Sequence, residues 1–475
     1  MAELLKPDIC VIGAGSGGLS VAAAAAGFGV PVVLVEKGRM GGDCLNVGCV
    51  PSKSLIAAAR RARTIVDANA FGVVAGQADI DFAGVHAHVH RVIAAIAPND
   101  SKERFTGLGV RVIEGVASFK DAATVAVGDA FEIKARRFVI AAGSSPALPP
   151  IPGLDAVPHL TNETIFDLTA RPEHLVVIGA GPIGLELAQA FRRLGAAVTV
   201  LEGAMPLSHE DPECAQIVLD QLMREEIALR SGVAIIRAEH AHSKVRIVVG
   251  GASGEETIEG SHLLIATGRR PNVDGLGLET AGIKFDRAGI AVDKGLKTTN
   301  KRVYAIGDIT GGAQFTHAAN YHAGLVVRNA LFRLPVRVND DAIPRATFTD
   351  PELAHVGLTE GEARARGHAI RVLRWPYHEN DRAQAERETR GHIKVITDRR
   401  GRILGATVVG AAAGDLIATW ALAVSQGLNI RAVAGTVVPY PTLAEVGKRA
   451  AITYFTPGLT SPWVRRIIGV LRRFG

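Results

Sequence analysis

Two stretches of this chain repeat one pattern, and the repeat limits the fold more than any other feature. Asp8–Ser20 reads DICVIGAGSGGLS: an apolar strand, then Gly13, Gly15 and Gly18 spaced as GxGxxG, then a helix-forming run. The strand that follows, PVVLVE, ends in Glu36. Much later, Leu175–Glu186 reads LVVIGAGPIGLE, with Gly179, Gly181 and Gly184 in the same spacing, and the strand AVTVLE ends in Glu202 at the same offset. The first glycine makes a tight turn and the second lets a pyrophosphate approach the backbone. The third lets helix and strand pack closely, and the acid at the next strand end takes ribose hydroxyls. A glycine-rich packing turn would have to arise twice, each time with its acid. The pattern predicts two α/β dinucleotide-binding units. Glu202 pairs with a free 2′-hydroxyl and repels a 2′-phosphate. The following GAMPLSHE brings no arginine, so NADH is expected over NADPH.

A chain of 475 residues has room for two to four domains. Apolar residues make up 48% of it, which excludes a disordered chain. The charge of +6 is mild for this length, and no basic stretch is interleaved with aromatics, so nucleic acid is not an expected partner. The most apolar run, Leu19–Val35, is interrupted by Gly27, Gly29 and Pro31 and reads as a buried helix plus a buried parallel strand. MAELLKPD does not read as a signal peptide. Four cysteines, Cys10, Cys44, Cys49 and Cys214, are too few for a disulfide scaffold and point to a reducing, cytoplasmic setting. Cys10 on an apolar strand reads as an inert core thiol, and Cys214 has no partner in the sequence.

Gly41–Lys53, GGDCLNVGCVPSK, holds two of these cysteines among glycines, just before a predicted helix. As a zinc site the pair lacks further ligands nearby. As a structural bridge it closes so short a loop that the entropic benefit is small. A redox pair is favoured by position: a helix N-terminus and Lys53 both stabilise a thiolate on Cys49.

The same stretch resembles the active-site motif of the flavoprotein disulfide reductases, which include dihydrolipoamide dehydrogenase, glutathione reductase and mercuric reductase. FVIAAGSSP (Phe138–Pro146, with Gly143) and LLIATGRRPN (Leu263–Asn272, with Gly268) resemble that family's two crossings between nucleotide domains. VYAIGDIT (Val303–Thr310) resembles its second flavin motif, and FTDPELAHVGLTE the opening of its dimerisation domain. The resemblance implies an α/β fold with two Rossmann-like dinucleotide-binding domains, the FAD domain split by an inserted NAD domain, and a C-terminal α/β dimerisation domain. The expected limits are 1–150 and 271–340 for FAD, 151–270 for NAD, 341–457 for dimerisation and 458–475 for a tail. It implies FAD held by Gly13, Gly15, Gly18, Glu36, Gly42, Gly143 and Asp308. NAD is held by Gly179, Gly181, Gly184, Glu202 and Gly268. Hydride passes from NADH to flavin, and electrons pass on to a Cys44–Cys49 disulfide. Cys49 is then the thiolate against the flavin, Cys44 the interchange thiol, and Lys53 sits beside the flavin with Glu186 as partner. Asp43 departs from the threonine the family often carries near the flavin phosphates. His317 and His322 read as helix packing near the flavin motif.

Dihydrolipoamide and glutathione reductases carry His-Pro-Thr-x-Ser-Glu near the C-terminus, where the histidine is the acid–base for thiol exchange and the glutamate orients it. Here Tyr440–Glu445 reads YPTLAE. Tyrosine, with an unperturbed pKa near 10, is a poor base at neutral pH, so efficient lipoamide turnover is not expected. Mercuric reductases resemble this chain in the tyrosine and in Tyr377–Val395, but end in paired cysteines, and no cysteine follows Cys214 here. Tyr440 is either a substrate-facing group or a buried phenol filling the histidine's space. Trp463–Phe474, WVRRIIGVLRRF, sorts into one apolar and one arginine arc. Its apolar face either packs on the protein's own body or across a dimer, or lies on an anionic membrane surface.

The expectation is a homodimeric reductase with a disulfide or a metal ion as the acceptor, and no resident metal. A dihydrolipoamide dehydrogenase is the first rival. A membrane-recruited electron-transfer flavoprotein reducing a quinone or a protein partner is the second.

Overall fold

The computed structural model describes residues 2–76, 78–241, 244–251, 254–459 and 461–474. They form two compact units, one of 1–180, 190–203 and 233–338, the other of 181–189, 204–232 and 339–475.

The first unit is built on a parallel sheet ordered Val303–Ala305, Arg137–Ile140, Ile9–Ile12, Val32–Glu36 and Val110–Glu114. These strands are near-continuous apolar runs, as a parallel sheet covered on both faces requires. Alternate residues serve opposite layers. Ile9, Val11, Leu34, Val139 and Tyr304 join one buried cluster with residues of the helices Ser16–Gly27 and Thr316–Phe332. Cys10, Ile12, Val33, Val35, Phe138 and Ile140 join another, with Phe119, Val125 and Ile133. Each fully buried Val, Ile or Phe contributes about 1.5–3 kcal/mol, which is why this sheet anchors the turns at its edge. The apolar run Leu19–Val35 is thus a helix followed by a buried strand. Among the described residues no helix is long and apolar enough to cross a membrane.

A second parallel sheet in the same unit pairs Ala197–Glu202, His174–Ile178 and His262–Ile265. Two short strands, Ser144–Pro146 and Arg269–Pro271, run antiparallel and tie the two glycine crossings together.

In the second unit the sheet is antiparallel throughout. Its order is Arg345–Thr347, Glu352–Gly357, Ile403–Gly410, His392–Asp398 and Ile370–Pro376. Trp420 of the helix Ala413–Ser425 and Val446 and Ala450 of the helix Glu445–Thr453 pack on it. The helix Pro462–Leu471 buries none of its residues. The expectation that its apolar face packs on the protein's own body is therefore not met within the chain.

Candidate functional site

The first glycine turn is shaped for a dinucleotide. Gly13 has φ +103°, and a Cβ there would strike the carbonyl of Ala141. A Cβ on Gly15 would meet nothing within 4 Å, whereas one on Gly42 would stand 2.7 Å from the Gly15 Cα. Gly42 thus backs the turn, and the Gly15 side stays open at the start of the helix Ser16–Gly27, where an anion is favoured. The Glu36 carboxylate accepts the Ala14 N–H at 2.5 Å and the Gly38 N–H at 2.7 Å. It is fixed at the strand end with lone pairs left for ribose hydroxyls. These residues fit FAD.

The second turn repeats the geometry. Gly179 has φ +109° and faces the Ala266 carbonyl, a Cβ on Gly181 would meet open space, and Glu202 accepts the Ala180 N–H at 2.8 Å. Gly184 is buried, and Gly143 and Gly268 both lie in the left-handed region at φ +66° and +123°.

Cys44 lies on the short helix Gly42–Asn46, and Cys49 opens the helix Cys49–Asp67. The thiol of Cys44 donates to the sulfur of Cys49. That hydrogen bond is the largest cause that lowers the Cys49 thiol to about 6. Burial opposes it, and the Thr316 hydroxyl, 3.5 Å from the sulfur, and the charge of Lys53 assist. The same donation, with burial, raises Cys44. At neutral pH the pair therefore holds one thiolate, on Cys49, and one thiol, on Cys44. Charge separation of this kind equips the two sulfurs for different tasks.

Asp43 points away from a solitary role. Its carboxylate lies 3.1 Å from the Arg269 guanidinium and accepts from Asn162 at 3.3 Å. Arg269 also donates to the Ser144 hydroxyl and carbonyl, both at 2.8 Å. Ser144 donates to Asp308 at 2.6 Å. Burial raises the Asp308 carboxyl, with Ser144 and Arg269 opposing. One polar chain thus joins the cysteine segment, both glycine crossings and the second flavin motif. His322 is buried and accepts the Gly307 N–H on Nδ1 at 3.2 Å, whereas His317 is exposed and stacks on Phe315.

In the second unit, Tyr440 is 69% exposed, so it is not a buried phenol filling the histidine's space within the chain. Its hydroxyl donates to Asp381 at 2.7 Å. Asp381, with Glu445 adding to it, raises the phenol's pKa. Glu445 begins the helix Glu445–Thr453. Glu186 is buried and accepts the Phe348 N–H at 2.8 Å.

Sequence reasoning missed Thr316, Asn162, Arg269 and Asp381 as partners. Arg269 stood inside a motif already singled out, LLIATGRRPN, and Asp381 inside another, Tyr377–Val395, so signals for both existed. Cys10 is fully buried, and burial lifts its thiol to about 12. Cys214 is also buried, with His392 Nε2 at 3.5 Å. Among the described residues no group of three or more His, Cys, Asp or Glu could hold a metal ion.

Comparison with known proteins agrees with this geometry. The family described as pyridine nucleotide-disulphide oxidoreductase matches residues 7–323, and its dimerisation domain matches 343–451. A mercuric reductase of Lysinibacillus sphaericus is 36% identical over 94% of this chain and 82% of its own length. A dihydrolipoyl dehydrogenase of Staphylococcus aureus is also 36% identical, over 94% of this chain and 96% of its own. The HOCl-induced flavoprotein disulfide reductase RclA of Escherichia coli superposes with a TM-score of 0.84 at 29% identity, covering 94% of this chain and 99% of that one. With two glycine cradles, a polarised cysteine pair and these matches along nearly its whole length, the chain belongs to the pyridine nucleotide-disulphide oxidoreductases, FAD-containing enzymes that depend on NAD(P)H.

Proposed function

We propose that this enzyme oxidises NADH and delivers the electron pair through Cys44 and Cys49 to a disulfide or metal-ion acceptor, as in the mercuric reductases it resembles. The observation that carries the reading is the cysteine pair itself, Cys49 at the first position of the helix Cys49–Asp67 with the Thr316 hydroxyl 3.5 Å from its sulfur and Cys44 on the short helix before it. Bound FAD supplies the hydride acceptor and the relay to the sulfurs. Gly13, Gly15, Gly18, Gly42, Gly143, Glu36 and Asp308 would hold it, and Lys53 would stand beside it. Gly179, Gly181, Gly184, Gly268 and Glu202 hold NADH, with Glu202 rejecting a 2′-phosphate. Cys49 would hold the thiolate on the cofactor side, and Cys44 attacks or binds the acceptor as its proton passes along the hydrogen bond to Cys49. The domain limits are those given above, the working form is a homodimer through 343–451, and the setting is cytoplasmic.

For a disulfide, NADH, a proton and the disulfide give NAD+ and two thiols. For mercuric ion, NADH and Hg(II) give NAD+, a proton and elemental mercury. Tyr440 favours the second over lipoamide, because Asp381 holds the phenol protonated and leaves still less of it able to accept a proton at neutral pH. Initial rates of NADH oxidation with lipoamide and with Hg(II) plus excess thiol, side by side, test this. Turnover of Hg(II) with little lipoamide activity is expected, and rapid lipoamide turnover would make dihydrolipoamide dehydrogenase the correct reading. A second reading, a membrane-recruited reductase of a quinone or protein partner, is favoured by one observation, the exposed apolar face of the helix Pro462–Leu471.

A further inference from the structure

We infer that the helix Pro462–Leu471, continued by Arg472, Arg473 and Phe474, is a docking surface for an anionic lipid bilayer. Ser461 precedes it, and Pro462 at its first turn suits a helix start. At about 100° per residue, Trp463, Val464, Ile467, Ile468, Val470, Leu471 and Phe474 fall within an arc of roughly 160°. Arg465, Arg466, Arg472 and Arg473 share the opposite arc with Gly469. Such a helix ordinarily buries its apolar stripe. Here the stripe is open: Trp463 is 73% exposed, Leu471 61% and Phe474 83%. A contiguous apolar surface of this kind on a folded protein marks an interaction site.

Charge selects the occupant. No Asp or Glu occurs between Val446 and Gly475, so the arginines lie within a wholly cationic segment. A second copy of this helix could cover the apolar arc, but it would bring four more arginines and no acid, so both cationic arcs would stay unanswered. An anionic headgroup layer answers both faces at once, with apolar side chains in the acyl boundary and arginines among the headgroups. Trp463 and Phe474, near the two ends, suit the interfacial depth. Ten helical residues span about 15 Å, half of a bilayer's hydrocarbon core of about 30 Å, so the helix lies in the surface plane.

This deepens the second reading above and rests on its premise of membrane recruitment, but it needs neither a quinone nor turnover. The test is co-sedimentation of the full-length, flavin-loaded enzyme with phosphatidylglycerol-containing vesicles and with pure phosphatidylcholine vesicles. Binding to the anionic vesicles alone, weakened by salt, is expected. The double variant Arg472→Gln/Arg473→Gln is expected to bind roughly 30-fold more weakly, at about fivefold per arginine. Trp463→Ala is expected to lose binding while flavin content and NADH oxidation stay unchanged. Failure to sediment with anionic vesicles overturns the inference. So does a change of oligomeric state in Trp463→Ala, which would assign the face to a second copy. If the vesicles bind but a quinone is not reduced, the docking surface stands and the quinone acceptor falls.

Discussion

Thr316→Val removes one hydroxyl and almost no volume, and the Cys49 thiolate should register the loss. The Thr316 Oγ1 stands 3.5 Å from the Cys49 sulfur, across 267 positions of sequence. A hydrogen bond to a charged group contributes about 1.5–3 kcal/mol, and the long sulfur contact belongs at the low end of that range. One pKa unit is about 1.4 kcal/mol, so the Cys49 pKa should rise by about one unit. The direction follows from the charge: the hydroxyl donates to the thiolate and has no such partner in the thiol, so its loss favours the protonated form. Starting from about 6, the thiolate fraction at pH ~6.5 should fall from roughly three-quarters to roughly one-quarter. Alkylation rate against pH on the reduced enzyme reads this directly. Cys44→Ala, which deletes the largest cause, should move the profile further, and Thr316→Ser should restore it. An unchanged profile in Thr316→Val, or a smaller shift in Cys44→Ala than in Thr316→Val, refutes the electrostatic account of the pair.

Glu202→Arg should invert coenzyme choice: like charges held together cost several kcal/mol, so the wild type should favour NADH by about 100-fold in kcat/KM, and the variant should lose or reverse that ratio. Lys394 is 5% exposed and lies 2.8 Å from Asp211, 3.0 Å from Glu213 and 2.9 Å from Glu360. Lys394→Met should strip the buried Asp211 of its cation, whereas Glu213 and Glu360 keep Arg374 and Arg364, and destabilise the second unit by about 3–5 kcal/mol in denaturant unfolding, with Lys394→Met/Asp211→Asn recovering part. Arg374 and Lys394 depress Glu213 to about 2; because the folded value lies below the unfolded one, its modest contribution is complete above the unfolded value and fades as pH falls toward about 2. Tyr440→His should raise lipoamide turnover with Hg(II) turnover little changed; no gain would show that the missing base was not the limitation.

The two cofactor cradles were legible because their geometry is local. A GxGxxG turn fixes its own backbone, and Glu36 and Glu202 reach amides one strand away. The Cys49 thiolate was legible for a lesser reason. The helix start and Lys53 were visible, but the larger contribution comes from Cys44 donating across the turn. Arg269 could not be joined to Asp43, or Asp381 to Tyr440, because those pairings depend on how distant strands and loops close. Asp43 departs from the family's threonine in the sequence, and only the folded chain brings the Arg269 guanidinium to it. The tail's amphipathic pattern was plain in the sequence. What covers its apolar face was not, since periodicity shows that a face exists and not what it meets.

The central claim is that electrons from NADH end on Cys44 and Cys49. Anaerobic addition of one equivalent of NADH to the oxidised, flavin-loaded enzyme, followed by counting alkylated cysteines by mass, tests it. The account predicts new labelling at Cys44 and Cys49 only, with Cys10 and Cys214 unchanged in their buried sites. Consumption of NADH with no new label at either residue would contradict it.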